Sequence, residues 1–165
     1  MRRALELAAR GRGFVEPNPQ VGAVVFRGDE IVGEGWHAEF GEAHAEVAAL
    51  RAAGAAASGA TLVVTLEPCR HHGKQPPCVD AIRAAGVCRV VYGWDDPNPA
   101  AGGGAAALAA SGVEVERVVT PAVADQNAAF IHRHRGVGRP FVALKLATSV
   151  DGRVADYTEI GRAHV

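Results

Sequence analysis

The sequence has little of several things that whole classes of protein require. Its 165 residues carry a formal net charge of −1 and only 5% aromatic residues, whereas a nucleic-acid groove needs excess positive charge and stacking aromatics. No apolar run approaches the roughly 18 residues of a membrane-spanning helix. Neither nucleic acid nor a membrane is therefore expected as a partner.

Cysteine is scarce too, because the chain has three, which cannot all pair with one another. The N-terminal segment leads into Glu6 and Arg10 instead of the unbroken apolar stretch of a secretory signal. We therefore expect a reducing compartment, the cytoplasm, with metal-binding or catalytic use of the cysteines. Cys88 is the exception: it lies in an apolar segment and is predicted to be a core residue.

Helix and strand patterns alternate along the chain. Helices are predicted over residues 2–9, 43–53, 78–85, 104–110 and 121–132, and strands over residues 21–26, 31–35, 61–66, 87–92 and 113–119. Helices precede the last two strands as crossovers, which favours parallel pairing there. The pattern predicts an α/β fold with one sheet between two layers of helices.

A basic, glycine-rich stretch at residues 132–140 precedes a further apolar segment at residues 141–147, predicted as a strand. The predicted organisation is a first domain over residues 1–135 and the start of a second over residues 136–157. Residues 158–165 resemble a cloning or assembly scar, and we expect this tail to be non-native.

One constellation carries recognisable chemistry. His44 is followed two residues later by Glu46, and Cys69 by Cys78 nine residues on. One histidine and two cysteines suit a catalytic zinc site, which leaves its fourth position open for water. A nearby carboxylate suits proton transfer. The pattern matches the zinc-deaminase signature, except that eight residues instead of two separate the cysteines.

Five motifs carry a more specific resemblance. They are Pro-Asn-Pro-Gln-Val-Gly at residues 17–22, Gly-Glu-Gly-Trp-His at 33–37, His-Ala-Glu-Val at 44–47, Thr-Leu-Glu-Pro-Cys-Arg-His-His-Gly-Lys-Gln-Pro-Pro-Cys at 65–78 and Asp-Pro-Asn-Pro at 96–99. In this order they resemble the deaminase domain of the RibD family of bifunctional riboflavin-biosynthesis proteins, within the cytidine-deaminase-like superfamily. The resemblance spans residues 1–130.

The resemblance implies a three-layer sandwich around a central mixed sheet. It also implies zinc-dependent hydrolytic removal of the 2-amino group from 2,5-diamino-6-(5-phosphoribosylamino)pyrimidin-4-one, a small pyrimidine nucleotide. The residues that match the family's zinc ligands are His44, Cys69 and Cys78, and Glu46 matches its proton shuttle. The matching substrate contacts are Asn18, His37, His71, Lys74, Asp96 and Asn98.

Two features differ from the family. The first concerns the family's reductase domain, which uses NADPH. Residues 139–155 resemble only the opening strand of that domain, and one strand cannot build a cofactor pocket. We therefore expect no reductase activity from this chain. Gly103 stands where the family usually has a basic residue. Any role for a basic group at that position is therefore in doubt.

Other interpretations of these residues stay open. The zinc site could be structural, with His71 or His72 as a fourth ligand, in a non-catalytic module. The chain could instead be a nucleobase, nucleoside or tRNA deaminase of the same superfamily. His71 and Lys74 could be exposed loop residues, His37 could only pack beside the sheet, and the Asn-Pro and Asp-Pro motifs form turns without a ligand. Self-association is possible.

Overall fold

The described part of the chain holds five strands and six α-helices. The computed structural model describes residues 1–136 and 138–153. The strands are β1 (Gly22–Arg27), β2 (Glu30–Trp36), β3 (Thr61–Leu66), β4 (Arg89–Trp94) and β5 (Glu114–Arg117). The helices are α1 (Arg2–Ala8), α2 (Ala45–Ala53), α3 (Cys78–Ala84), α4 (Gly104–Ala110), α5 (Pro121–Gln126) and α6 (Ala128–His134).

The five strands form one mixed sheet in the order β2-β1-β3-β4-β5. β1 pairs antiparallel with both β2 and β3. β3 pairs with β4, and β4 with β5, in parallel. The parallel pairing expected from the crossover helices is confirmed, because α3 and α4 connect these strands across one face.

Helices cover both faces of the sheet. α2 packs on β1 and β2 and contacts α3, which in turn contacts α4. On the opposite face α1 lies against β1 and α5 against β4. Alternate residues of one strand serve the two layers: Val25 belongs to the larger core below α2, while Val24 packs with Leu7 of α1. The predicted three-layer α/β sandwich is confirmed.

The predicted helix over residues 121–132 is two helices, because the chain breaks at Asn127. The Asn127 side chain is buried and accepts a hydrogen bond from the Gln20 amide at 2.7 Å while donating to the Gln20 carbonyl at 3.1 Å. These bonds satisfy both backbone groups of a distant residue, and a local helix pattern carries no sign of them.

The prediction for Cys88 is wrong. Cys88 precedes β4 and is exposed, and its thiol reaches the Gly59 carbonyl at 3.2 Å. Its neighbour Val87 is buried instead. The pattern over residues 87–92, which is apolar except for Arg89, does not show which of two adjacent side chains faces the core, because side chains of an extended chain alternate.

The strand predicted over residues 141–147 is also wrong, since these residues have no regular secondary structure. Val142 and Leu144 are about four-fifths exposed, at 79% and 80%. A strand needs a hydrogen-bonding neighbour as well as an apolar sequence, and no described strand pairs with this segment. Residues 158–165 lie outside the described part of the chain.

The helices are short, and the longest of those described, α2, has nine residues. Among residues 1–136 and 138–153, no helix has the length and apolar character needed to cross a bilayer.

Candidate active site

Two connections, one between β2 and α2 and one between β3 and α3, bring the predicted metal ligands together at one end of the sheet. His44 immediately precedes α2 and has an extended backbone. Cys69 follows the end of β3, and Cys78 is the first residue of α3. The Cys78 amide donates to the Cys69 sulfur at 3.4 Å, so the start of α3 is tied directly to the loop after β3.

The ligand atoms are spaced as zinc requires. His44 Nδ1 lies 3.2 Å from Cys78 Sγ and 3.5 Å from Cys69 Sγ. All three ligand atoms lie within 4.8 Å of one another. Tetrahedral zinc with Zn–N and Zn–S bonds of about 2.1 and 2.3 Å places such atoms about 3.6 Å apart. This nitrogen and sulfur donor set therefore fits zinc.

No described histidine completes a fourth protein ligand. The described group of ligand atoms holds His44, Cys69 and Cys78, and neither His71 nor His72 belongs to it. Three protein ligands with an open fourth position are the arrangement of catalytic zinc sites. The geometry thus favours a catalytic over a structural site.

Hydrogen bonds among the ligands prepare one of them for a metal. A hydrogen bond between the two cysteine side chains lowers the pKa of the Cys69 thiol. The same bond, together with burial, raises the pKa of the Cys78 thiol. The bond to Cys69 raises the pKa of His44. Negative charge is thereby concentrated on Cys69, and the thiolate is the form of cysteine that binds metals.

Glu46 lies beside this cluster in the first turn of α2 and is only 4% exposed. Burial disfavours its charged form and raises its pKa to about 7. A carboxyl group with a pKa near neutrality can both accept and release a proton at physiological pH. Position and pKa together suit proton transfer better than metal ligation.

A cavity of about 250 Å³ opens above these groups. Its lining includes Glu46, two of the metal-ligand candidates and all six predicted substrate contacts: His44, Cys69, Asn18, His37, His71, Lys74, Asp96 and Asn98. Cys78 is fully buried behind the cavity wall. Side chains spread over 81 residues of sequence thus meet in one cavity, a convergence typical of a ligand site.

Asn18 and His37 form a connected pair on one wall. The Asn18 amide donates to His37 Nε2 at 3.2 Å, while His37 Nδ1 donates to the Ala43 carbonyl at 3.2 Å. Burial lowers the pKa of His37, in agreement with a neutral ring that accepts at one nitrogen and donates at the other. His37 is buried beside the sheet, and it also holds Asn18 in place at the cavity.

The loop between the cysteines supplies the cationic rim. Lys74 Nζ lies 3.9 Å from the centre of the Phe40 ring, a distance typical of a cation–π contact. Gln75 Nε2 donates to the Gly41 carbonyl at 2.8 Å. The loop that carries Lys74 is thereby fastened to the segment before α2.

Asp96 and Asn98 are both turn residues and cavity residues. Asp96 Oδ1 accepts the Asn98 amide at 2.9 Å, and Asn98 Oδ1 accepts the Ala100 amide at 3.1 Å. Burial raises the pKa of Asp96 to about 6. The turn interpretation and the ligand interpretation of this motif are therefore compatible.

Residues 1–94 match the model of the cytidine and deoxycytidylate deaminase zinc-binding region, which is more than half of the chain. The chain belongs to this deaminase family. The zinc-binding character of the family agrees with the donor set of His44, Cys69 and Cys78.

Individual relatives point to one branch of the deaminase family. The chain is 54% identical over 157 residues to the riboflavin biosynthesis protein RibD of Escherichia coli, which covers 94% of this chain and 42% of that protein. A solved diaminohydroxyphosphoribosylaminopyrimidine deaminase/5-amino-6-(5-phosphoribosylamino)uracil reductase of Thermotoga maritima matches with a TM-score of 0.86 at 47% identity, over 96% of this chain and 46% of that one. RibD of Acinetobacter baumannii matches with a TM-score of 0.84 at 46% identity, over 92% and 43%.

The chain thus spans less than half the length of the relatives it matches. The sequence identity and structural similarity to these proteins confirm the RibD resemblance that the five motifs indicate.

The cavity residues to which the sequence patterns assigned no role include Phe40, Glu67, Gln75 and Phe130. Phe130 comes from α6, far along the chain from the motifs. Glu67 stands inside a recognised motif, but its role depends on contacts with residues more than 25 positions away. Local spacing carries no information on such contacts.

The structure resolves the doubt about Gly103 in part. Gly103 has φ +87°, a left-handed conformation that favours glycine. The Arg70 side chain lies beside it, since Arg70 Nε donates to the Gly102 carbonyl at 2.8 Å and an added Cβ on Gly103 would come within 3.1 Å of the same nitrogen. A basic group is therefore present next to this turn, supplied by the cysteine loop.

Proposed function

We propose that the chain catalyses zinc-dependent hydrolytic deamination of 2,5-diamino-6-(5-phosphoribosylamino)pyrimidin-4-one in riboflavin biosynthesis. The observation that carries the proposal is the buried Glu46 beside the His44–Cys69–Cys78 group, at the base of a cavity with a polar wall and a cationic rim. This combination provides a place for a metal, a proton carrier and room for a phosphorylated ring.

In this proposal His44, Cys69 and Cys78 hold zinc, which supplies an activated water when bound. Glu46 would accept one proton of the attacking water and pass it to the ring nitrogen as the C–O bond forms at the carbon that bears the amine. It would then take the proton of the new hydroxyl group and give it to the amine as the C–N bond breaks, so that ammonia leaves and a carbonyl forms. A pKa of about 7 suits both halves of this task. Burial of Glu46 also keeps bulk water from competing for the proton.

The remaining predicted residues bind the substrate. Asn18, held by His37, faces the polar edge of the pyrimidine. His71 and Lys74 meet the ribose phosphate, since an anion pairs favourably with cationic donors. Asp96 and Asn98 contact the sugar or the ring from the opposite wall. These roles match the family's pattern residue by residue.

The RibD relatives support this substrate class, because the Thermotoga maritima protein combines this deaminase with a reductase. Reductase activity and NADPH belong to a region that this chain does not span, so they are not proposed for it. The division into a deaminase domain over residues 1–135 and a second domain from residue 136 is part of the proposal, as are a cytoplasmic location and self-association.

Glu46→Gln tests the mechanism. The amide keeps the shape of the side chain but cannot carry the proton, so we expect turnover to fall by at least about 100-fold with zinc content unchanged. Ammonia release from the diaminopyrimidine nucleotide and metal analysis measure the two quantities. Glu39→Gln is the matched control, since Glu39 is exposed and does not line the cavity. Full turnover in zinc-loaded Glu46→Gln contradicts the mechanism.

The same assay separates the alternative functions. Release of ammonia from cytidine or from a tRNA anticodon stem, without release from the pyrimidine nucleotide, indicates another deaminase of the superfamily. A non-catalytic zinc module releases none from any of them and unfolds when zinc is chelated. Net charge near zero and few aromatic residues favour the small-molecule substrate over tRNA.

A further inference from the structure

Glu67 is a buried carboxylate to which the motifs assign no role. It directly follows β3 and stands two residues before Cys69. Its exposure is 9%, and it lines the cavity. Buried carboxylates are costly unless hydrogen bonds satisfy them, so the partners of Glu67 indicate what it does.

Those partners are three backbone amides that lie between the end of β4 and the first turn of α4. Glu67 Oε1 accepts the amides of Gly103 and Ala105, each at 3.0 Å. Glu67 Oε2 accepts the Asp96 amide at 3.4 Å. The Glu67 backbone amide also donates to the Trp94 carbonyl at 2.9 Å.

The loop so held joins β4 to α4 over residues 95–103. One of its ends contains Asp96 and the other runs into the first turn of α4, whose amides lack partners within the helix. Glu67 satisfies amides at both ends at once. Between them lies Asn98, whose carbonyl accepts the amides of Ala101 and Gly102 at 2.9 Å each.

We infer that Glu67 is a positioning residue that holds Asp96 and Asn98 against the cavity, so that they contact the substrate. The inference rests on the proposed function, since it concerns residues of the same site. Glu67 itself does not need to touch the substrate. It connects the loop that carries Cys69 with the loop that carries Asp96.

A carboxylate is required because only it offers acceptors on both oxygens. Glutamine has the same shape but one acceptor. If its carbonyl faces Gly103 and Ala105, its amino group meets the Asp96 amide, so two donors face one another. Glu67→Gln therefore disrupts one end of the loop without leaving a cavity.

The experiment compares zinc-loaded wild type, Glu67→Gln, Glu67→Ala and the control Glu34→Gln. Glu34 lies on β2, outside the cavity lining. Its Oε1 accepts a hydrogen bond from Arg3 Nε at 2.6 Å. We expect Glu67→Gln to raise KM about tenfold, as the loss of one bond to a charged group does, with kcat within about threefold of wild type and zinc content unchanged. Glu67→Ala raises KM further.

Amide hydrogen exchange gives a readout that does not depend on turnover. Exchange at Asp96 accelerates in Glu67→Gln, and exchange at Asp96, Gly103 and Ala105 accelerates in Glu67→Ala. Exchange in β1 and α2 stays as in wild type in both variants. A merely structural role accelerates exchange throughout and leaves KM unchanged.

The outcomes separate the two proposals. Absence of turnover in zinc-loaded wild type overturns the proposed function. Unchanged exchange at Asp96 in Glu67→Gln, or at all three amides in Glu67→Ala, overturns the positioning role, whether or not the wild type turns over. A wild-type KM in both Glu67 variants, or a loss of activity that follows zinc content, also overturns it.

Discussion

At the scale of single residues, burial sets the acid–base chemistry of the cavity more than neighbouring charges do. Burial is the largest influence on the pKa of Glu46, of Asp96 and of His37. It raises the pKa of the two carboxyl groups and lowers that of the imidazole, because water stabilises charged forms best. These three side chains therefore favour their neutral forms more than they would in water.

Asp96→Asn tests this at one residue. The pKa of Asp96 rises from 3.8 to about 6 on folding. Between these pH values the folded state binds more protons than the unfolded state, so wild-type stability falls as pH rises through this window. Asparagine cannot ionise, yet its Oδ1 still accepts the Asn98 amide. We expect Asp96→Asn to exceed wild type in unfolding free energy by about 1 kcal/mol at pH 7, after discounting for partial exposure.

Urea unfolding of both proteins at pH 4 and pH 7 measures this difference. Chelator-treated samples keep zinc release at acid pH out of the comparison. The difference is smaller at pH 4, where Asp96 is protonated in the folded state and partly protonated in the unfolded state. A wild type that is more stable than Asp96→Asn at pH 7 contradicts the assignment.

At the scale of elements, the contact between β2 and α2 places the catalytic helix. Gly33 and Gly35 lie on β2 where α2 crosses it, and a Cβ on Gly35 would come within 2.4 Å of the Ala49 amide nitrogen. Glycine in a strand often marks such a close approach of two backbones. Because α2 begins next to His44 and contains Glu46, this contact sets the distance of the two side chains from the sheet.

Gly35→Ala is therefore expected to push α2 away from the sheet. Overpacking against backbone atoms destabilises the fold by about 3 kcal/mol, and displacement of His44 weakens zinc binding in the same variant. Chemical denaturation and a competitive zinc titration measure the two effects. Ile31→Ala, at a position of β2 that is 44% exposed, is the control and changes stability by less than about 1 kcal/mol. Equal zinc affinity in Gly35→Ala and wild type contradicts the proposed link.

At the scale of the whole molecule, the metal site ties together segments that the chain brings from different places. The residue before α2, the loop after β3 and the first residue of α3 each contribute one ligand candidate. A metal held by these three residues would link His44, just before α2, to both ends of the loop that contains Cys69 and leads into α3 at Cys78. Metal binding to the folded state alone adds to its stability.

Chelation should accordingly lower the melting temperature. Zinc at about a thousand times its Kd adds about 4 kcal/mol, which corresponds to about 10 °C for a chain of this size. Circular dichroism on zinc-loaded and chelator-treated protein measures the change. Cys88→Ser behaves as wild type, because exposed Cys88 lies outside the ligand group, whereas Cys69→Ser is insensitive to the chelator. A zinc-loaded wild type that melts at the same temperature with and without chelator contradicts this role.

The sequence by itself determined the order of helices and strands, the parallel pairing of β3, β4 and β5, and the side chains that meet at the metal group. The elements follow from local periodicity, and the metal group follows from residue types that recur in recognised motifs. The resemblance placed six further side chains, and all six line the cavity.

Only the tertiary structure decided the rest. The break at Asn127, the exposure of Cys88, the lack of a strand at residues 141–147 and the bonds of Glu67 all depend on contacts between distant segments. Local pattern reports which side chains prefer burial, but it does not report which backbone groups remain to be hydrogen-bonded once the elements have packed. The hydrogen-bond partners of these backbone groups are decided only when the sheet and its helices pack together.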